Sequence, residues 1–270
     1  MELEQHHLLQ KAQSKFPLAP SVCDAFEKIP RHMFLDHFSA DYQHWLSVSP
    51  ETMDLIYADT TLLLYYEDGF TSTISQPSFV LKMLELLDLK PGMQVFELGA
   101  GSGWNAALMG FLVGRGGLVK SYEIIHEMTL QAQRHVEKFD LPQVKIIQGD
   151  ALAELALEED VFDRGMFTAG ARDLPGMLFE KIKEGGKLLF VLKTNLGDLL
   201  LAMERKKDHF EVFEKIHCQF VSVTGASQED YYNDLSELLY GSSPITIWPQ
   251  GTLSMGENVV AGRDMVFKLG

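Results

Sequence analysis

Val95-Phe96-Glu97-Leu98-Gly99-Ala100-Gly101-Ser102-Gly103 decides how this chain folds: an apolar run closing on an acid, followed by three glycines at alternate positions. Glycine takes positive φ freely and lets a ligand approach the backbone without meeting a Cβ. Good helix formers follow at once from Trp104 through Ala106, Ala107, Leu108 and Met109, so the first free amides of that helix face the turn. A strand, a glycine turn and a helix in that order predict a nucleotide-like ligand at the carboxyl end of a parallel sheet.

Two ligands fit this turn. Gly101-Ser102-Gly103-Trp104-Asn105-Ala106 satisfies the dinucleotide pattern, and Glu123 lies 20 residues beyond Gly103, so a nicotinamide-dependent oxidoreductase is one reading. Glu97, two residues before Gly99, favours the other. A carboxylate there repels a pyrophosphate but suits S-adenosylmethionine, which carries a sulfonium and an amine and no phosphate. Glu123 then stands where an acid grips both ribose hydroxyls, or is simply a solvated acid at a strand end. Asp150 in Gly149-Asp150-Ala151 is placed to accept from an adenine amino group with the Ala151 amide beside it; it equally fits a helix cap.

Outward from the turn, short β-rich runs alternate with helical stretches from Thr73 to about Gly225, the pattern of a parallel sheet covered on both faces. Val80, Met83, Leu84 and Leu87 recur at helical spacing before the break at Lys90-Pro91-Gly92. Strands are expected at 94–98, 118–122, 144–148, 161–168 and 187–192, the last after a stop at Gly185-Gly186. Helices are expected over 126–139 and 174–183, and an antiparallel hairpin over 199–223. The expected fold class is α/β, with three parts: 1–72, mainly helical and rich in aromatics; the core, 73–225; and an extension, 226–270, in which Ser227–Asp234 is polar and Leu235–Tyr240 apolar.

The chain has 23 basic against 38 acidic residues, net −15, which argues against a groove that neutralises many phosphates and so against nucleic acid. Cys23 and Cys218 form neither a disulfide framework nor a metal cluster, and the scattered histidines lack convergent partners, so no metal is expected. No apolar run approaches the roughly 20 residues of a membrane span, and the N-terminus lacks a signal-peptide layout, which places the protein in the cytosol without a membrane partner.

Several motifs in fixed order carry a resemblance. Thr73-Ile74-Ser75-Gln76-Pro77, the loop Glu97–Gly103, Gly149-Asp150, Phe162-Asp163 with Thr168-Ala169 and Leu174-Pro175, Glu184-Gly185-Gly186-Lys187-Leu188, and upstream Ile29-Pro30-Arg31-His32-Met33-Phe34 together resemble the protein-L-isoaspartate O-methyltransferases over about residues 26–225. The resemblance implies a Rossmann-like class I methyltransferase sheet, mostly parallel with an antiparallel last strand, and S-adenosyl-L-methionine as cofactor. It implies a peptide or protein substrate whose isoaspartyl or aspartyl carboxylate is methylated in a repair reaction. Thr73, Ile74, Glu97, Gly99, Ala100, Gly101, Gly103, Glu123, Asp150 and Ala151 would then hold cofactor. Ser75 would orient the substrate carboxylate, although its place before Pro77 also fits a helix N-cap. Trp104 and Phe70 line the cleft or pack in the core, and Thr224 matches a position where the family's last segment returns to the cofactor.

The chain departs from the family at Tyr65–Ser72, where a glycine-rich approach is usual, in a longer spacing from Pro30 to Ser75, and in the residues after Gly225. Relatives with such features modify aspartate in ribosomally made peptides, which is a second substrate reading; a binding module without catalysis is a third.

Overall fold

The computed structural model describes residues 2–223, 244–253 and 258–269. Thr224, the polar stretch Ser227–Asp234 and the apolar patch Leu235–Tyr240 lie outside the described residues.

In chain order the elements are α1 (Glu2–Gln13), α2 (Pro20–Lys28), β1 (His37–Phe38), β2 (Leu46–Ser47), α3 (Met53–Ile56), β3 (Leu62–Glu67), β4 (Phe70–Ile74), α4 (Pro77–Leu87), β5 (Gln94–Leu98), α5 (Trp104–Val113), β6 (Leu118–Glu123), α6 (His126–Glu137) and β7 (Val144–Gln148). Then follow α7 (Ala151–Leu157), β8 (Phe162–Phe167), α8 (Met177–Lys181), β9 (Ile182–Thr194), β10 (Gly197–Arg205), β11 (Phe210–Cys218), β12 (Ile245–Pro249), β13 (Val259–Ala261) and β14 (Met265–Leu269). They fall into two compact units, one of residues 1–93 with 99–149, the other of 94–98 with 150–270.

In the first unit β6 and β7 run parallel, and Val80, Met83, Leu84 and Leu87 are all buried on α4 as their helical spacing predicts. The helical character expected of residues 1–72 holds through α1, α2 and the 3-10 turn Arg31–Phe34; beyond it the chain forms two antiparallel hairpins, β1–β2 and β3–β4, with only the short Pro50–Ile56 helical stretch between them. The second hairpin turns at Asp68-Gly69, both at positive φ (51° and 82°), the two-residue turn whose twist matches paired strands. Asp-Gly is its local sequence signal.

In the second unit the strand order is β13-β14-β12-β11-β10-β9-β8-β5. β5, β8 and β9 are parallel, and from β9 to β13 every pairing is antiparallel, so the expected antiparallel hairpin is present as β10 and β11 and the antiparallel part continues past it into the chain beyond residue 244. Phe96, Phe162, Phe167 and Phe190 make its aromatic core through edge-on contacts at 4.9–6.4 Å.

Gly185-Gly186 does not stop a helix before a fifth strand. β9 runs through both residues, and its register on β8 slips between the pairs Phe162↔Ile182 and Arg164↔Lys187, a bulge that Gly185 accommodates at φ 76°. A Cβ on Gly186 would lie 2.8 Å from the Asp163 carbonyl oxygen, so the strands close up only over glycine.

A reciprocal clasp fastens the segment after β8. Asp173 accepts the Arg263 amide at 2.5 Å, while Asp264 accepts the Gly176 amide at 3.2 Å. The same segment is bonded through Gly170 to Val221 and Val223.

Candidate active site

The glycine loop belongs to the first unit and takes the backbone expected of it, with φ of 93° at Gly99, 53° at Gly101 and 83° at Gly103. Its amides are bound inward. Gly99 and Ala100 donate to the Tyr122 carbonyl at 2.9 and 3.0 Å, Gly103 to the Ala100 carbonyl at 2.8 Å, and Gly101 to Glu123 Oε2 at 2.8 Å. A phosphate cradle needs such amides aimed at the ligand; those of Gly99, Ala100 and Gly101 are spent on the end of β6.

Each glycine has its own neighbour. A Cβ on Gly101 would stand 3.5 Å from Ser72 Oγ and the Thr73 carbonyl, so the loop runs against β4. A Cβ on Gly103 would stand 3.1 Å from the Ala132 carbonyl on α6 and, at positive φ, would be strained as well. The Ser102 carbonyl is held by the His135 ring at 3.0 Å, and that ring is held in turn by Asp36 at 3.2 Å.

Glu123 closes β6 and is buried, not a solvated strand-end acid. Its Oε2 accepts the Gly101 amide and its Oε1 the Ile125 amide at 3.0 Å, and the carboxylate keeps some acceptor capacity beyond its amide bonds. Burial raises its pKa above the ordinary carboxylate value, opposed by the hydrogen bonds from Ile125, Gly101 and Ile124.

Thr73 and Ile74 end β4, paired with Leu63 and Leu62. Ser75 follows, half-buried, and it does not cap α4: the N-cap is Gln76 and makes no side-chain cap bond. The start of α4 is satisfied instead by Asp59, whose Oδ1 accepts the Ser78 amide and whose Oδ2 accepts the Ser78 hydroxyl, both at 2.9 Å. The distant carboxylate does what the local serine was expected to do, so the Ser75 hydroxyl makes no hydrogen bond among the described residues.

One side chain here was quoted in a motif but given no role by the sequence. Arg31 is fully buried, and its Nη atoms donate to the carbonyls of Ile56, Ala58, Thr60, Ile74 and Ser75. Burial pushes its guanidinium down to about 9. Trp104 is buried under it in the core, its indole N–H on the Ile29 carbonyl at 3.0 Å, whereas Phe70 is exposed on its hairpin.

Glu97, Asp150 and Ala151 belong to the second unit. Glu97 is fully buried on β5 in register with Met166. Thr168, after β8, donates through both its amide and its hydroxyl to the Leu98 carbonyl, one residue before the glycine loop. Asp150 is the N-cap of α7, with Oδ1 accepting the Leu152 amide at 3.0 Å, as the cap reading expects.

This strand, glycine loop and helix, with an acid ending the next strand, sits in a fold shared with solved methyltransferases: a protein-L-isoaspartate O-methyltransferase structure covers 98% of this chain and 88% of its own length at a TM-score of 0.71 and 23% identity. The architecture is that of a class I methyltransferase. The protein-L-isoaspartate(D-aspartate) O-methyltransferase (PCMT) family profile matches residues 3–228, and the chain belongs to that family. Protein-L-isoaspartate O-methyltransferase 1 of Archaeoglobus fulgidus is 34% identical over 183 residues, 67% of this chain and 76% of its own length. The Pyrococcus horikoshii enzyme is 36% identical over 185 residues, 68% of this chain and 75% of its own. A Plasmodium falciparum structure assigned to the same family, in complex with S-adenosyl-L-homocysteine, covers 81% of this chain and 97% of its own at a TM-score of 0.62 and 20% identity. The chain is therefore a methyltransferase, which removes the oxidoreductase and the non-catalytic module. Among the described residues no helix is long and apolar enough to cross a membrane.

Proposed function

We propose that this chain transfers the methyl group of S-adenosyl-L-methionine to the carboxylate of an L-isoaspartyl residue in a peptide or protein. The observation that carries the cofactor choice is the bonding of the glycine loop: the Gly99 and Ala100 amides go to the Tyr122 carbonyl and the Gly101 amide to the buried Glu123 carboxylate, which leaves them turned away from a pyrophosphate, while Glu123 favours a ligand that offers hydroxyl donors. In this reading Gly99, Ala100, Gly101 and Gly103 wrap the methionine part with Glu97, Thr73 and Ile74 beside it. Glu123 holds the ribose, and Asp150 with Ala151 the adenine. Residues 73–225 carry the chemistry, with 1–72 and 226–270 as accessory segments. Cytosolic residence fits the free thiols of Cys23 and Cys218.

When bound, the cofactor supplies an electrophilic methyl on a sulfonium. The acceptor needs no general base, because a carboxylate of pKa about 3.9 is already ionised at neutral pH. With the cofactor bound, a carboxylate oxygen would take the methyl as the carbon–sulfur bond gave way to a neutral thioether, so the opposite charges would cancel along the path. What the protein supplies is alignment and exclusion of water, and alignment contributes about 7–11 kcal/mol in the best intramolecular cases. Ser75, with its hydroxyl unengaged, donates to the acceptor carboxylate and orients it.

Intact-mass analysis of paired aspartyl and isoaspartyl peptides, incubated with the protein and S-adenosyl-L-methionine, tests the reading. One added methylene on the isoaspartyl member alone is expected. Methylation of the aspartyl member instead would move the chain to the peptide-modifying class that the altered Tyr65–Ser72 stretch resembles.

A further inference from the structure

We infer that Arg31 is a positioning residue for the acceptor side of methyl transfer, fixing through its guanidinium the Ile74–Ser75 turn on which the substrate carboxylate is oriented. The inference rests on the reading of that turn as the acceptor site.

The side chain is a buried cation whose hydrogen bonds go to backbone oxygens. Nη1 donates to the carbonyls of Ile56 at 2.5 Å and Ala58 at 3.4 Å, and Nη2 to those of Thr60 at 3.0 Å, Ile74 at 3.2 Å and Ser75 at 3.0 Å. Nε alone has no partner among the described residues. Burying a full charge is costly, and an apolar side chain would fill the volume at less expense. A planar fork, however, ties two stretches of backbone together: the segment Ile56–Thr60, and the exit of β4. A lysine ammonium is a single point and cannot repeat that division.

The same guanidinium packs 5.8 Å from the centre of the Trp104 ring, and Trp104 is the first residue of the helix leaving the glycine loop. Its indole N–H returns to the Ile29 carbonyl, two residues before Arg31. One side chain thus touches both the turn that carries Ser75 and the residue that follows Gly103. The Ser75 carbonyl is engaged while its hydroxyl is left for the substrate. In-line transfer is intolerant of a shift at this point; a displacement of about 1 Å costs about a hundredfold in rate.

Arg31→Lys keeps the charge and most of the stem. The expected result is turnover on an isoaspartyl peptide lowered about a hundredfold, with affinity for S-adenosylhomocysteine by calorimetry unchanged and KM for the peptide little altered. Arg31→Ala, where it folds, should regain part of its turnover with added guanidinium and none with ammonium. Wild-type turnover in Arg31→Lys overturns the inference, as does a loss of cofactor affinity as large as the loss of turnover, which would mark a general collapse. Ser75→Ala, assayed in parallel, separates the two ideas. Full activity there with an impaired Arg31→Lys removes the hydroxyl's role and leaves the turn's; an impaired Ser75→Ala with a fully active Arg31→Lys does the reverse.

Discussion

Two buried charges of opposite sign organise the two halves of the first unit's part of the proposed site. On the glycine-loop side an anion, Glu123, gathers backbone amides from Gly101 and Ile125. On the Ser75 side a cation, Arg31, gathers backbone carbonyls. The sign of the charge decides which pole of the peptide is turned inward, and so what is left for a ligand. Glu123 uses up loop amides and keeps acceptor capacity, which suits hydroxyl groups. Arg31 uses up carbonyls and leaves the Ser75 hydroxyl as a donor, which suits a carboxylate.

The comparison is tested most severely on the anionic side. Glu123→Ala removes the proposed ribose acceptor and strands the Gly101 and Ile125 amides; with charged hydrogen bonds contributing about 1.5–3 kcal/mol each, cofactor affinity should fall about a hundredfold. Unchanged calorimetric affinity would take Glu123 out of the site. Ser75→Ala removes a single bond to a carboxylate, so about a tenfold loss of turnover is expected, with cofactor affinity intact. Because Ser75 does not cap α4, its melting temperature should also stay put; a fall would return the serine to a capping role.

A pH titration sharpens the same contrast. The Glu123 pKa is raised by burial, so on acidification its carboxylate takes up a proton earlier than an exposed glutamate does. The cofactor-free fold gains from that proton, since the folded state then binds more protons than the unfolded one, whereas cofactor affinity falls through the same range. Glu123→Gln should flatten both trends, and a persistent slope in the variant would assign them to another group. The smallest effect is expected at Asp59, which lies beside the Arg31 contacts at Ala58 and Thr60 but bonds neither Arg31 nor Glu123. Asp59→Ala uncaps α4 and should cost about 1 kcal/mol, a few degrees in a thermal melt. Its pairing with the partly exposed Lys15 adds little. A loss of cofactor affinity in that variant would show the two sides to be less separate than drawn.

The anionic half was legible in the sequence; of the cationic half the family resemblance pointed to Ser75 but nothing gave Arg31 a role, for a physical reason. Gly101 and Glu123 sit on consecutive βα turns, so a local pattern brings them together, and β5 and β7 keep the expected limits of 94–98 and 144–148. Arg31 reaches the Ser75 carbonyl across 44 residues of chain with no periodicity to announce it. The cap assigned to Ser75 failed for the same reason, since Asp59 is brought to α4 by tertiary structure. Gly185-Gly186 was ambiguous because positive φ serves a helix end and a strand bulge alike. The β3–β4 hairpin carried its own signal, Asp68-Gly69, which the aromatic character of the segment obscured.

The exchange of carboxylates between Asp173 and Asp264 has a consequence for synthesis. The ribosome must run 90 residues past Asp173 before the Arg263 amide that this side chain accepts exists at all. Until then the segment that follows Thr168 is held through Gly170, on Val221 and Val223, and through Ala171, on Val191 and Lys193. A nascent chain halted inside the family-matched stretch would leave that segment half fastened, since its second fixing comes from Arg263 and Asp264, beyond residue 228.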